Sequence, residues 1–281
     1  MIPRLSQVEP TQGRYLAFLE TLGQQGFQGE IRSDYGTRLV QSTDNSIYQI
    51  LPQAAVFPIH KSDLKILLKL AAHEKYRDIR FAPRGGGTGT NGQSLTDGII
   101  IDCSRHMNDI RELNLDQGWV KVGPGVVLDQ LNDFLRPHGV FFAPNLSPSS
   151  RATLGGMINT DACGKGSRVY GRTSDHILEL SCLLSNGEEL NSVPLNPKEL
   201  ADWKAASGRT GEVYRVVDEI VCQQAELIRE IFPKMSRFMT GYNLARVYSN
   251  DQQSVFNLNY LLAGSEGTLG LIHEAKLKLT P

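Results

Sequence analysis

Apolar side chains recur along this chain with two periods, and the alternation between them lays out its elements. Over residues 12–25, Tyr15, Phe18, Leu19 and Leu22 fall at the i, i+3, i+4, i+7 positions of one face, which predicts an N-terminal helix. A short apolar run at 54–57 predicts a strand. Leu64, Leu67, Leu68, Ala71 and Ala72 then predict a helix from Ser62 through Tyr76. An apolar stretch at Ile79 and Phe81 and strands at 98–102 and 119–122 follow, the last two parted by a polar turn at Asp116, Gln117 and Gly118. Residues 126–135 predict a second helix, stopped by Pro137 and Gly139.

From Asn145 to Gly171 the periodicity gives way to Ser, Thr, Asn and Gly, and a loop of that size inside a compact domain is as a rule functional. Asn186-Gly187 joins apolar runs at 177–184 and 188–193 into a predicted hairpin. Val213, Val216, Val217, Ile220 and Val221 predict one long helix over 212–232, limited by Pro233. A final strand over 270–279 alternates through Leu271, His273, Ala275, Leu277 and Leu279. Strands and helices that alternate loosely, with hairpins among them, imply an α+β fold. No internal repeat is found, and a mild boundary near Pro144 separates two lobes with a ligand expected between them.

Composition narrows the partners. The 281 residues are 40% hydrophobic and 21% charged, with 29 basic against 30 acidic side chains. Without a Lys/Arg run longer than two there is no footprint for nucleic acid or anionic lipid, which leaves small molecules. No apolar run approaches the roughly 20 residues of a membrane span, and Met1-Ile2-Pro3-Arg4 does not lead into the apolar core of a signal peptide, so the expected compartment is the cytoplasm. Cys103, Cys163, Cys182 and Cys222 stand far apart, which predicts buried free thiols. The six histidines show no metal-ligand spacing, so no metal site is expected.

The chemistry concentrates in a run of glycines. Five of the eight residues from Gly85 to Gly92 are glycine, between apolar stretches, so backbone N–H groups can turn inward and approach an anion, with Arg84, Thr88, Thr90 and Asn91 as further donors. Such a loop can grip a pyrophosphate. Gly87, Gly89 and Gly92 spell a dinucleotide fingerprint, but residues 93–97 are too short for the helix that motif must open. The P-loop spelling over residues 87–94 fails too, because Gln93 stands where that motif has lysine. Gly264-Ser265-Glu266-Gly267 approaches a hydrolase nucleophile elbow but follows Ala263 and leads into a strand, so Ser265 is not read as a nucleophile. The bland alternative, a tight turn, would carry five glycines at about 0.5–1 kcal/mol of backbone entropy each for no return.

Three segments in order carry a family resemblance: 83–92, 144–164 with its Thr153-Leu154-Gly155-Gly156 core, and 264–270. Together they resemble the FAD-binding (PCMH-type) domain of the vanillyl-alcohol-oxidase superfamily. The nearest branch holds glycolate-oxidase subunits and the FAD-linked D-lactate and D-2-hydroxyglutarate dehydrogenases, above all the large bacterial D-2-hydroxyglutarate type, and the resemblance extends over essentially the whole chain. It implies an α+β, two-lobed domain with flavin between the lobes. Residues 1–53 would be a helical extension, 54–143 the first lobe, 144–171 an FAD loop and 172–281 the second lobe.

The cofactor-binding residues implied are Arg84, Gly85, Gly86, Gly87, Thr88, Gly89, Thr90, Asn91, Gly92, Pro144, Thr153, Gly155, Gly156, Asn159, Thr160, Asp161, Gly164, Tyr170, Gly171, Glu266 and Gly267. Covalent relatives often carry histidine where Thr88 stands, so the FAD is expected to be non-covalent; some relatives bond flavin through a cysteine, and Cys163 lies within the second segment. The resemblance further implies oxidation of a D-2-hydroxy acid, best D-2-hydroxyglutarate, by hydride transfer to flavin. No catalytic residue is assigned within this chain. In the family a substrate cap carries the metal and hydroxy-acid groups and the large members add an iron–sulfur region, both expected outside these residues. Two other readings stay open: an FAD oxidoreductase of a sugar or aromatic alcohol, and a non-catalytic flavin-binding module.

Overall fold

A computed structural model describes residues 9–235, 241–249 and 255–281. Met1 to Arg4, read above for a leader, lie outside the described residues. Two sheets organise the rest. The first holds β1 (Glu30–Arg32), β2 (Ala54–Phe57), β3 (Phe81–Arg84) and β4 (Ile99–Asp102) in the order β1-β2-β4-β3. β2 and β3 run parallel to β4, and β1 runs antiparallel to β2. Every residue of β2 and β4 is buried, as continuous apolar strands covered on both faces should be. One face packs on α1 (Gly13–Gln24) and α3 (Lys61–Ala71) through Phe18, Leu22, Leu64 and Leu67.

Why α3 starts where it does is local chemistry. The Asp63 carboxylate is fully buried and accepts the N–H groups of Gln28 at 2.9 Å and Ile59 at 2.8 Å, pinning the helix start to the loop before β1. A second short helix, α2 (Tyr35–Val40), is capped by Asp34, whose Oδ1 accepts the Thr37 N–H at 2.9 Å.

The second sheet is antiparallel. It comprises β5 (Ile110–Asn114), β6 (Trp119–Val122), β7 (Ile177–Leu183), β8 (Glu189–Ser192) and, last in the chain, a long strand Leu271–Lys278 that lies between β6 and β7. Between β8 and that strand fall the two-residue pieces β9 (Tyr248–Ser249) and β10 (Val255–Phe256), which makes the long strand β11. The largest core packs on this sheet, with Leu131 and Leu135 of α4 (Leu128–Leu135) against Val120, Leu180 and Leu277. The loop segment carries α5 (Leu154–Asn159) and α6 (Ser167–Tyr170); α7 (Pro197–Ala205), α8 (Gly208–Gln223), α9 (Ala225–Ile231) and α10 (Asn259–Leu262) follow.

Several expectations change. The single helix over 212–232 is two helices, α8 and α9, broken at Gln224 (φ −105°, ψ 18°), a residue that nothing in the apolar pattern marks. The helix read through Tyr76 ends at Ala71 and resumes as one tight turn over Glu74–Tyr76. Cys222 is exposed, because α8 turns that position outward, while the other three thiols are buried. In the second sheet β11 pairs with β6 on one edge and β7 on the other, and in the first sheet β1 pairs with β2.

At the middle of β11, His273 is 4% exposed, with Nε2 3.2 Å from Glu189 Oε1. Burial depresses its pKa to about 4, against the opposing pull of Glu189, so the imidazole is neutral in the native state. The unfolded chain takes up that proton near 6.5, so the stabilisation is whole above pH 6.5 and is lost as pH falls toward 4. Urea unfolding should therefore lose roughly 3 kcal/mol over that window, and His273→Leu should flatten the slope. An unchanged slope in the variant would refute the assignment.

Candidate functional site

The three motif segments converge at the ends of β3, α5 and the loop before β11, and they do so at backbone distance. A Cβ on Gly86 would sit 1.9 Å from the Arg151 carbonyl oxygen, and one on Gly85 would sit 2.1 Å from Thr153 Oγ1. Only glycine lets the loop lie on residues 151–153. The third segment closes on the other side: Gly267, at φ +79°, abuts Pro83, where an added Cβ would meet Cγ at 2.3 Å.

Asn159, at the last turn of α5, ties the second segment to the third. Its backbone oxygen accepts the Glu266 N–H at 2.9 Å, its Oδ1 accepts the Gly267 N–H at 2.9 Å, and its Nδ2 donates to the Gly155 carbonyl at 2.8 Å. The Ile158 carbonyl accepts the Gly264 N–H at 2.9 Å. Glu266 (φ +51°) and Asp161 (φ +44°) are held in the left-handed region, a strain that non-glycine residues tolerate only where their surroundings fix them.

Between these walls lies a cleft of about 320 Å³. Its donors are backbone. Among the described residues, the six successive N–H groups from Gly85 to Thr90 find no acceptor within the chain, and the next, on Asn91, turns to Gln93 Oε1 at 3.1 Å. A row of unpartnered N–H groups along a cleft can serve an anion. The first turn of α5 is not: Leu154 and Gly155 donate to the Val126 and Pro124 carbonyls, both at 2.8 Å, and Gly156 to Thr153 Oγ1.

Arg84 braces this row from behind. Its Nη2 donates to the Thr43 carbonyl at 2.7 Å, and burial lowers its pKa while Asp102 and Asp44 pull the other way. The cleft's inner end is apolar, formed by Cys103, Pro124, Met157, Leu271 and Ile272. Burial pushes the Cys103 thiol up to about 12, so it packs as a neutral group.

Of the residues expected at the site, Arg84 through Asn91, Thr153, Gly155, Gly156, Asn159, Thr160 and Glu266 line this cleft. Others stand outside its lining. Gly92 turns against Tyr48, Gly164 packs on the Asn145 carbonyl, and Gly267 backs onto Pro83. The Tyr170 ring meets Phe141 edge-on, and Gly171 follows it beside Asp175. Pro144 is buried away from the cleft, and Asp161 faces a neighbouring chamber. The apolar inner end was invisible to motif reading, because its residues sit in strands and turns that look like ordinary core. Among the described residues, no group of three or more His, Cys, Asp or Glu could hold a metal ion.

Comparison with known proteins agrees with this geometry. The model of a family described as FAD binding domain matches residues 52–192. A D-2-hydroxyglutarate dehydrogenase of Pseudomonas putida is 55% identical over 281 residues, which is 100% of this chain and 28% of that protein. One from Escherichia coli is 53% identical, covering 100% of this chain and 27% of its own length. The glycolate oxidase subunit GlcD of Bacillus subtilis is 27% identical over 87% of this chain and 40% of its own. The chain thus spans little more than a quarter of the first two relatives. Among solved structures, an alkyldihydroxyacetonephosphate synthase superposes on 99% of this chain and 43% of its own with a TM-score of 0.67 at 19% identity, a likeness of fold.

The contact between Gly86 and Arg151 can be tested without any ligand. Gly86→Ala should destabilise the chain by about 1–3 kcal/mol in urea unfolding, since backbone must move to admit the methyl group. Gly13→Ala, where a Cβ meets nothing within 4 Å, should be neutral or stabilising by about 0.4–1 kcal/mol. Equal effects at the two positions would show that the close approach is not a constraint.

Proposed function

The chain belongs to the FAD binding domain family, and from that premise we propose that it is the flavin-holding portion of an FAD-linked dehydrogenase that oxidises a D-2-hydroxy acid, D-2-hydroxyglutarate above all, to the 2-oxo acid. The observation that carries the flavin reading is the open row of N–H donors from Gly85 to Thr90 beside an apolar inner end. A diphosphate accepts from such a row, and a flat aromatic base fills the apolar end. The substrate reading rests on the relatives at 47–55% identity, each named a D-2-hydroxyglutarate dehydrogenase.

Bound FAD would supply the acceptor for the hydride leaving the carbinol carbon. This chain's own part is to bind and orient. Gly85 to Thr90 hold the diphosphate with Arg84 bracing their loop, Thr153, Gly155, Gly156 and Thr160 close the opposite wall, and Asn159 fixes the Glu266 segment against it. We assign the base that takes the hydroxyl proton, the groups that bind the hydroxy acid and any iron–sulfur cluster to other parts of the full-length protein, of which this chain matches a little over a quarter in the relatives. The cytoplasm is the proposed compartment; among the described residues, no helix is long and apolar enough to cross a membrane. The FAD is non-covalent on this reading, since Thr88 offers no ring nitrogen.

Purified chain mixed with FAD should show flavin bands at about 370 and about 450 nm that persist through gel filtration. Denaturation should release all of the flavin, with no mass increment on Cys163. The chain alone should not turn over D-2-hydroxyglutarate at a useful rate. Absence of flavin uptake would sink the proposal, and turnover by these residues alone would overturn the division of labour.

A further inference from the structure

Beside the cleft lies a second chamber of about 480 Å³, and the two share Asn91, Thr160 and Glu266 as a common wall. The chamber is polar, and several of its groups are already engaged. Asp161 holds Arg172 Nη1 at 3.2 Å and accepts the Ser174 N–H at 2.9 Å, while Tyr242 Oη and Thr268 Oγ1 lie 2.8 Å apart. Asn243 is not engaged in this way. It lines the chamber, is 6% exposed, and its Oδ1 is buried without a hydrogen-bond partner among the described residues. A buried amide oxygen left unpaired lowers stability unless something else supplies the donor.

We propose that Asn243 reads the pyrimidine edge of the flavin, whose ring extends from the cleft into this chamber; the inference rests on the FAD reading above. That edge presents an N–H between two carbonyls, so it offers a donor and an acceptor side by side. A side-chain amide offers the complementary pair, whichever way round it is turned. Arg172, fixed by Asp161, adds a positive group to the same wall. A dianionic hydroxy acid fits the chamber poorly, because Asp161 and Glu266 together outweigh the charge of Arg172.

The test compares FAD with ADP, which shares the adenine and diphosphate but lacks the ring. In Asn243→Leu the Kd for FAD should rise about 10-fold or more, while that for ADP stays within about twofold of wild type. Ligand-free Asn243→Leu should melt no lower than wild type, since the substitution removes an unpaired polar group. Asn243→Ser, too short to span the pair, should show the same split between FAD and ADP if the leucine variant fails to fold. Equal weakening of both ligands, an unchanged FAD affinity, or a lower melting temperature of both ligand-free variants would each overturn the proposal. A wild-type chain that takes up ADP but not FAD would overturn this inference together with the FAD reading, whereas normal FAD uptake by both variants would remove this inference alone.

Discussion

The site depends on glycine backbone lying directly against neighbouring segments, at positions where there is no room for a Cβ. Gly86 against the Arg151 carbonyl and Gly267 against Pro83 bring three segments distant in sequence to van der Waals contact, and an added methyl group at either point would overlap existing atoms. Everything else about the cleft follows from that approach. Residues 151–153 lie on the glycine loop, and among the described residues the N–H groups from Gly85 to Thr90 find no acceptor within the chain.

The helix beside the loop shows why this matters electrostatically. A helix N-terminus is the usual place to seek an anion, yet α5 has given its first N–H groups to the Pro124 and Val126 carbonyls, which lock it to the turn before α4. The chain thus spends the helix end on rigidity and leaves recognition to the loop. Asn159 extends that bracing by holding Glu266 and Gly267, which joins α5 to the entry to β11. A wall fixed in this way meets its ligand with little ordering left to do.

Much of this was legible in the sequence, and the reasons are physical. The glycine loop, the strands β2 and β4, the β7–β8 hairpin and the alternating β11 each follow from local pattern or turn chemistry, so they could be read directly. α7 could have been read too, because Asn196, Pro197 and Glu199 spell a capping box at its start. The break at Gln224 could not, since the apolar spacing runs through it unchanged. The second sheet partner of β6 was hidden for another reason. β5 pairs with β6 across a short turn, but β6 pairs on its other edge with β11, a contact across more than 150 residues, and nothing local to Trp119 announces Lys278 as its partner.

The site residues divide in the same manner. Gly85 to Thr90 carry their role in their type, because few other residues could occupy that backbone. Cys103, Leu271 and Ile272 do not, because a strand residue that lines a ligand looks like one that lines a core. The titratable groups bordering the cleft sharpen the functional reading. Arg84 is spent on Thr43, and burial keeps the Cys103 thiol neutral, so neither is poised to take a proton from a substrate. A wall with backbone donors and an apolar end suits the binding and orientation of a nucleotide cofactor, which is the role we propose for it.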